Sequence, residues 1–297
     1  MQIWTGTAFM QTAEAVPIAR MLDEAGFDGI VVSDHMIYPR NLYSPYPSPT
    51  GKPIWTPETA WPDSWVLIGA MAAVTTAIKF TNAVYIAPAR PLLEVAKQVA
   101  TAAVISGDRV ALTVGAGWMR EEFELMGQDF ATRGKRLDEM IVALPELWRG
   151  GWVAWSGKHY QIPELMLEPH PAKPVPIMCG GESEAALRRA ARLCDGWVGN
   201  AYTWEDAEDK VTTLNTLRRT YGRSDEPFEI MLTLRDVPSA DMFRRAEDIG
   251  VTAVMCSPWA MADDVASGSH DGFKLTADRY RAPIERFADT ILAKMSR

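Results

Sequence analysis

Short runs of β-branched and apolar residues alternate along the chain with longer stretches of helical period. This is the pattern of βα units around a parallel sheet. Gln2–Gly6 predicts a first strand. Thr12–Ala25 predicts a helix with Ala15, Ile18, Ala19 and Leu22 on one face, stopped by Gly26. Gly29–Ser33 is apolar on both faces, as a buried parallel strand is. Tyr38–Pro62 is rich in proline and aromatic residues and has no period; a loop this long inside a compact domain is usually functional. Asp63 suits the N-cap of a helix reaching Thr76. Phe80–Ile86 reads as a strand, Pro91–Ser106 as a helix and Arg109–Val114 as a strand. Leu137, Met140, Ile141, Leu144, Leu147 and Trp148 mark the helix that follows.

Trp152–Gln161 breaks the rhythm. Val153 to Tyr160 predicts a small hairpin turning at Ser156-Gly157, and Pro163–Pro176 a proline-rich connector. The alternation then resumes with strand Ile177–Cys179, helix Glu184–Cys194, strand Gly196–Val198 and helix Trp204–Tyr221. Strand Phe228–Leu234, helix Asp241–Ile249, strand Thr252–Cys256 and helix Leu275–Lys294 complete it. The count fits an α/β fold of the (β/α)8 TIM-barrel kind, one domain over 1–297 with insertions after strands 2 and 4. An open doubly wound sheet is the alternative, but no G-x-G-x-x-G follows the first strand.

Composition narrows the function. The 297 residues are 47% apolar and 23% charged, which is ordinary globular usage. Thirty basic against 38 acidic residues give a net charge of −8, which argues against nucleic acid or an anionic membrane as partner. The longest charge-free apolar stretch, Ser64–Ile78, is shorter than the roughly 20 residues a membrane span needs. The N-terminal residues lack the basic and apolar regions of a signal peptide. Cys179, Cys194 and Cys256 are odd in number, form no C-x-x-C and sit in apolar runs. They predict reduced core residues and a cytoplasmic setting.

Barrel active sites lie at the C-terminal ends of the strands, and this rule selects the candidates. Asp34-His35 ends strand two and is the one acid–histidine pair at such a position. A histidine there can move a proton near neutral pH; it can equally anchor the long loop. Gly115-Ala116-Gly117 ends strand four and Gly180-Gly181-Glu182-Ser183 ends strand five. Both let a ligand approach bare backbone, or serve as simple turns. The second also opens a helix whose free N–H groups attract phosphate, provided Glu182 points away. Trp118 offers a flat wall for a planar ring, or a core side chain. No metal-ligand spacing and no G-x-S-x-G elbow is present.

Three segments, in order, resemble the bacterial-luciferase-like oxidoreductases. They are Gly26 to His35, Ser106-Gly107-Asp108-Arg109 running through Val114-Gly115-Ala116-Gly117-Trp118 to Glu121-Glu122-Phe123, and Gly180 to Arg192 closing with Asp195-Gly196-Trp197. The resemblance implies a barrel holding the deazaflavin coenzyme F420 or reduced flavin (FMN), with a non-proline cis peptide at Ala83-Val84 behind the ring. It places Asp34 and His35 beside the ring as catalytic residues. The cofactor-binding set is then Ala83, Val84, Gly115, Ala116, Gly117, Trp118, Gly180, Gly181, Glu182 and Ser183. The deazaflavin sugar-phosphate dehydrogenases carry a glutamate where this chain has Trp118, and Gly-Ala-Gly-Trp resembles the wider deazaflavin group. After strand three, Arg90-Pro91 is one residue shorter than the family's usual Arg-His-Pro or Arg-Asn-Pro.

The implied activity is hydride transfer between F420 and a small, fairly apolar organic substrate. The protein positions the ring and excludes water. Tyr38, Tyr43, Tyr46, Trp55 and Trp61 would form a lid over the site. Arg90, Arg120, Arg188 and Arg189 are candidates for a basic groove along the cofactor's anionic tail. The alternatives are an FMN-dependent monooxygenase served by a partner flavin reductase, and a barrel that binds flavin without turnover. The family also implies a homodimer.

Overall fold

The computed structural model describes residues 1–261 and 276–295. Eight strands form one parallel sheet. In chain order they are β1 (Gln2–Gly6), β2 (Gly29–Val32), β3 (Lys79–Asn82), β4 (Leu112–Val114), β7 (Ile177–Gly180), β8 (Gly196–Tyr202), β9 (Glu229–Leu234) and β10 (Ala253–Met255). Between β4 and β7 lies an antiparallel hairpin, β5 (Trp152–Ser156) and β6 (Gln161–Met166). The sheet order runs β3-β2-β1-β10-β9-β8-β7-β4. Isolated parallel bridges Phe80↔Val110 and Tyr85↔Val114 join the two ends, so the sheet closes into the expected barrel.

Helices α1 (Thr12–Ala25), α2 (Ser64–Ala72), α3 (Leu92–Ser106), α4 (Arg120–Leu125), α5 (Arg133–Leu147), α6 (Glu184–Leu193), α7 (Trp204–Thr220), α8 (Ala240–Asp248) and α9 (Ala277–Thr290) follow the strands. Their apolar faces and the outward strand residues make one large core layer. A smaller cluster of Trp4, Val31, Met178, Val198, Met231 and Ala253 fills the bore. Gly29 is fixed by that filling, because a Cβ there would lie 2.1 Å from Trp4 Cε3. Among the described residues no helix is long and apolar enough to cross a membrane.

Some boundaries differ from the sequence reading for local reasons. α2 stops at Ala72, short of Thr76, because the Arg109 guanidinium takes the carbonyls of Ala72, Thr75 and Ile78. β3 ends at Asn82, not Ile86, because the chain leaves the sheet at a cis Ala83-Val84 peptide and enters a 3-10 turn at Ala87–Ala89. The first part of the supposed connector, through Met166, is strand β6; Pro163 is tolerated there because both strands of a two-stranded sheet are edges. α4 is too short to show a period and leaves no helical signal in the sequence. The predicted last helix begins at Leu275, which lies outside the described residues.

Candidate active site

The strand ends converge at the C-terminal mouth of the barrel, and the shelf across it is built around Val84. Its Cγ2 lies where a Cβ on Gly115 would come within 2.3 Å, and its Cγ1 stands in the same relation, 2.3 Å, to Gly180. The isopropyl group is thus wedged between the ends of β4 and β7. Both residues are glycine to admit Val84, a reason the sequence did not suggest. Ala83, beside it, packs on the bore cluster. Gly117 has φ 82°, and a Cβ there would meet Ile86 and Phe123 at 2.7 Å. Ala116 packs against the outer core.

Asp34 and His35 do not form a pair. The Asp34 carboxylate is 5% exposed and accepts from both Arg90 guanidinium nitrogens, each at 2.8 Å, and from the Ile86 amide at 2.9 Å. Arg90 also donates to the Ile86 carbonyl and lies 4.2 Å over the Tyr85 ring. Asp34 therefore braces the segment that carries Val84. His35 finds its acid elsewhere. Its Nδ1 is 3.2 Å from Glu122 Oε1, and that oxygen also accepts from the Met36 amide at 2.9 Å. Glu122 is 2% exposed and sits in the first turn of α4, 87 residues from His35.

The neighbouring Glu121 secures the long loop by accepting from the amides of Tyr43 (2.5 Å) and Ser44 (2.9 Å). Burial works to raise the Glu121 carboxyl. The Ser44 hydroxyl and the two loop amides outweigh it and hold the group below its ordinary value. The loop so latched carries Trp55 and Trp61 onto the His35 ring, at 4.6 and 5.3 Å between centroids, and Trp118 joins at 5.9 Å. Trp118 is thus a wall of the mouth and not a core residue.

On the opposite rim, Gly181 has φ 119° and leads into α6. Ser183 caps that helix, its Oγ accepting from the Ala186 amide at 3.2 Å. The Glu182 carboxylate points away from the helix end, accepting from the Tyr202 hydroxyl and lying 3.4 Å from Lys210 Nζ. Of the first-turn amides of α6, that of Ala186 is thus taken, and those of Glu184 and Ala185 precede the first intrahelical bond.

The four arginines named from sequence do not all converge: Arg120 and Arg189 come within electrostatic range of Arg133, and Arg90 and Arg188 do not figure there. Arg90 is spent on Asp34, Arg188 pairs with Glu184 and Arg189 with Asp138. Arg120 and Arg133 instead lie 4.5 and 3.7 Å over the Phe130 ring, and Arg133 Nε donates to the Gly117 carbonyl at 3.1 Å. Burial, and then repulsion from Arg120 and Arg189, push the Arg133 guanidinium below its ordinary value. Neither Arg120 nor Arg133 has a carboxylate within ion-pair distance among the described residues. Arg133 opens α5 within a Arg-Gly-Lys-Arg run. Cations at a helix N-terminus oppose the helix dipole, and that anomaly was the available sequence signal. Among the described residues no cluster of three or more His, Cys, Asp or Glu is placed to hold a metal ion. Cys179 lies in the outer core, against the Cys194 thiol, and not in the bore.

Fold and site together give a (β/α)8 barrel whose mouth holds the Val84 shelf, a half-buried histidine and two arginines that share the Phe130 ring. Residues 2–248 match the family model for luciferase-like monooxygenases. The chain belongs to this family, whose members are oxidoreductases and monooxygenases. An uncharacterized protein of Mycobacterium tuberculosis is 34% identical over 94% of this chain and 95% of its own length. The pyrimidine monooxygenase RutA of Variovorax paradoxus is 36% identical over 186 residues, 59% of this chain and 49% of that protein. The coenzyme F420-dependent tetrahydromethanopterin reductase of Methanopyrus kandleri shares the fold with a TM-score of 0.72 at 14% identity, covering 100% of this chain and 99% of that one.

Proposed function

We propose that the protein is an F420-dependent oxidoreductase acting on a small organic substrate at the barrel mouth. The observation that carries this reading is the Val84 shelf, wedged between Gly115 and Gly180 at the centre of the mouth. A flat apolar shelf suits one face of a fused ring, and the residues present fit a flavin-type group. F420, when bound, supplies hydride transfer at its ring. Gly181 to Ser183 and the start of α6 would receive the cofactor's phosphate. Arg133, with Arg120, would receive negative charge further along the tail; their lack of acidic partners favours the more anionic F420 over FMN.

The chain's own chemistry centres on His35. Glu122 engages Nδ1, so Nε2 is the atom left to give or take a proton from substrate. Trp55, Trp61 and Trp118 surround the imidazole and exclude water. Asp34 acts as a positioning residue, through Arg90 and the Ile86 amide, with no free oxygen for proton transfer.

The second reading is an FMN-dependent monooxygenase with a partner reductase. It is favoured by the similarity to RutA over 186 residues, 59% of this chain. Parallel spectral titration of the purified protein with F420 and with FMN separates the two. Tighter binding of F420 is expected, and tighter binding of FMN would replace the first reading with the second.

A further inference from the structure

The loop across the mouth brings six rings together. Beyond the contacts to His35, Trp55 meets Tyr46 at 5.0 Å, Trp61 at 5.4 Å and Trp118 at 6.3 Å. Tyr46 also meets Trp118 at 5.1 Å, and Phe9 meets Trp61 at 5.4 Å. The indole N–H groups of Trp55 and Trp61 are shielded from water and have no hydrogen-bond partner. Trp55 is only 6% exposed. Buried donors are almost always satisfied in folded proteins. Trp65 and Trp259 also carry buried indole N–H groups without a partner, each in the outer core; the two that share one aromatic cluster at the mouth point to an acceptor that arrives with a ligand.

Charge decides what kind of acceptor. Among the described residues no lysine or arginine stacks on these rings. A charged group that touches the cluster is the buried Glu122 carboxylate on His35. An anionic ligand would add a second negative charge beside that carboxylate, with the His35 imidazole alone between them. A cation would suit the ring faces but leave both N–H donors unmet. A neutral ring compound with a carbonyl oxygen satisfies both conditions.

We infer that the Trp55–Trp61–Trp118 cluster is the substrate site, and that it takes a neutral, flat ring compound whose carbonyl oxygen accepts from the indole N–H groups of Trp55 and Trp61. This deepens the oxidoreductase reading and rests on it for the word substrate. The binding itself is tested without the cofactor.

Four probes separate the possibilities: acetophenone, ethylbenzene (no acceptor), benzoate (anionic) and phenyltrimethylammonium (cationic). Their affinities are measured on the purified protein by quenching of tryptophan fluorescence and by saturation-transfer NMR, then repeated with F420 or FMN present. Acetophenone should bind at least roughly threefold more tightly than ethylbenzene, and roughly tenfold more tightly than benzoate. Trp55→Phe and Trp61→Phe keep a ring and remove a donor. Each should weaken acetophenone about two- to tenfold while leaving ethylbenzene unchanged. Equal binding of ethylbenzene, tighter binding of benzoate or of the cation, or no binding of any probe would overturn the inference. The comparison among probes on the unaltered protein stands even if a variant folds poorly. Failure of both cofactors to bind, with acetophenone still selected, would sink the oxidoreductase reading and leave the binding site standing.

Discussion

At the scale of single residues, the two neighbours at the end of β2 have opposite duties, and their substitutions should fail in opposite ways. A positioned acid or base contributes about 100- to 10,000-fold to rate. His35→Ala should lower single-turnover rate by that order, with the cofactor dissociation constant moving far less, since the shelf and the α6 terminus are untouched. Asp34→Asn should instead act on folding. It leaves the Arg90 guanidinium buried without its counter-charge, a change that costs about 3–5 kcal/mol and is read from urea denaturation. A mutant of His35 with full rate per folded molecule and lost stability would make that residue a loop anchor. Sequence showed both residues to be at a strand end. It could not show their partners, because Glu122 and Arg90 come from other strand ends, 87 and 56 positions away. Adjacency along the chain suggested a dyad. Neighbours in sequence need not share a partner, and these two part, Asp34 to Arg90 and His35 to Glu122.

At the scale of elements, the shelf and the latched loop behave as units. Gly180→Ala drives a Cβ into Val84 Cγ1; such overpacking costs about 1–3 kcal/mol and should displace the shelf, weakening cofactor binding. Gly180→Ala combined with Val84→Ala should recover part of that loss, because the second change removes the group that is struck. A cofactor titration of the three proteins checks this, and no recovery would mean that Gly180 contacts the ligand directly. The loop responds to pH through Glu121. Its folded value lies below the ordinary 4.5, so its stabilisation is complete above that ordinary value and fades as pH falls through the folded one. Trp55 and Trp61 fluorescence should therefore report release of the loop in acid below about 4.5. Glu121→Gln should show the looser loop already at neutral pH. The sequence marked this loop as functional by its length and aromatic content. It did not reveal α4 as the latch, since a six-residue helix is too short for periodicity to register.

At the scale of the whole molecule, the alternation of strands and helices was legible because each barrel strand is buried on both faces and reads as a short apolar run. The hairpin was placed correctly but cut short, since Pro163 and Glu164 break the apolar pattern on a strand whose exposed side tolerates them. A cofactor that binds only the folded barrel should stabilise it by about 2.7 kcal/mol at a hundredfold excess over its dissociation constant, seen as a melting temperature that rises with F420 concentration. The barrel is not equally strong around its girth. Seven of its neighbour pairs are ladders of two or more residue pairs, that of β8 and β9 the longest although shifted in register between Val198 and Ala201. The backbones of the β3 and β4 segments instead meet at the isolated bridges Phe80↔Val110 and Tyr85↔Val114, with the Thr81 and Thr113 hydroxyls bonded at 2.8 Å between them. Protein opens first where fewest bonds must break together. The amide hydrogens of Phe80, Tyr85, Ala111 and Gly115, which cross that join, should trade with deuterated solvent sooner than those between β8 and β9. The hoop of strands has a clasp, and the Val84 shelf is fastened to it.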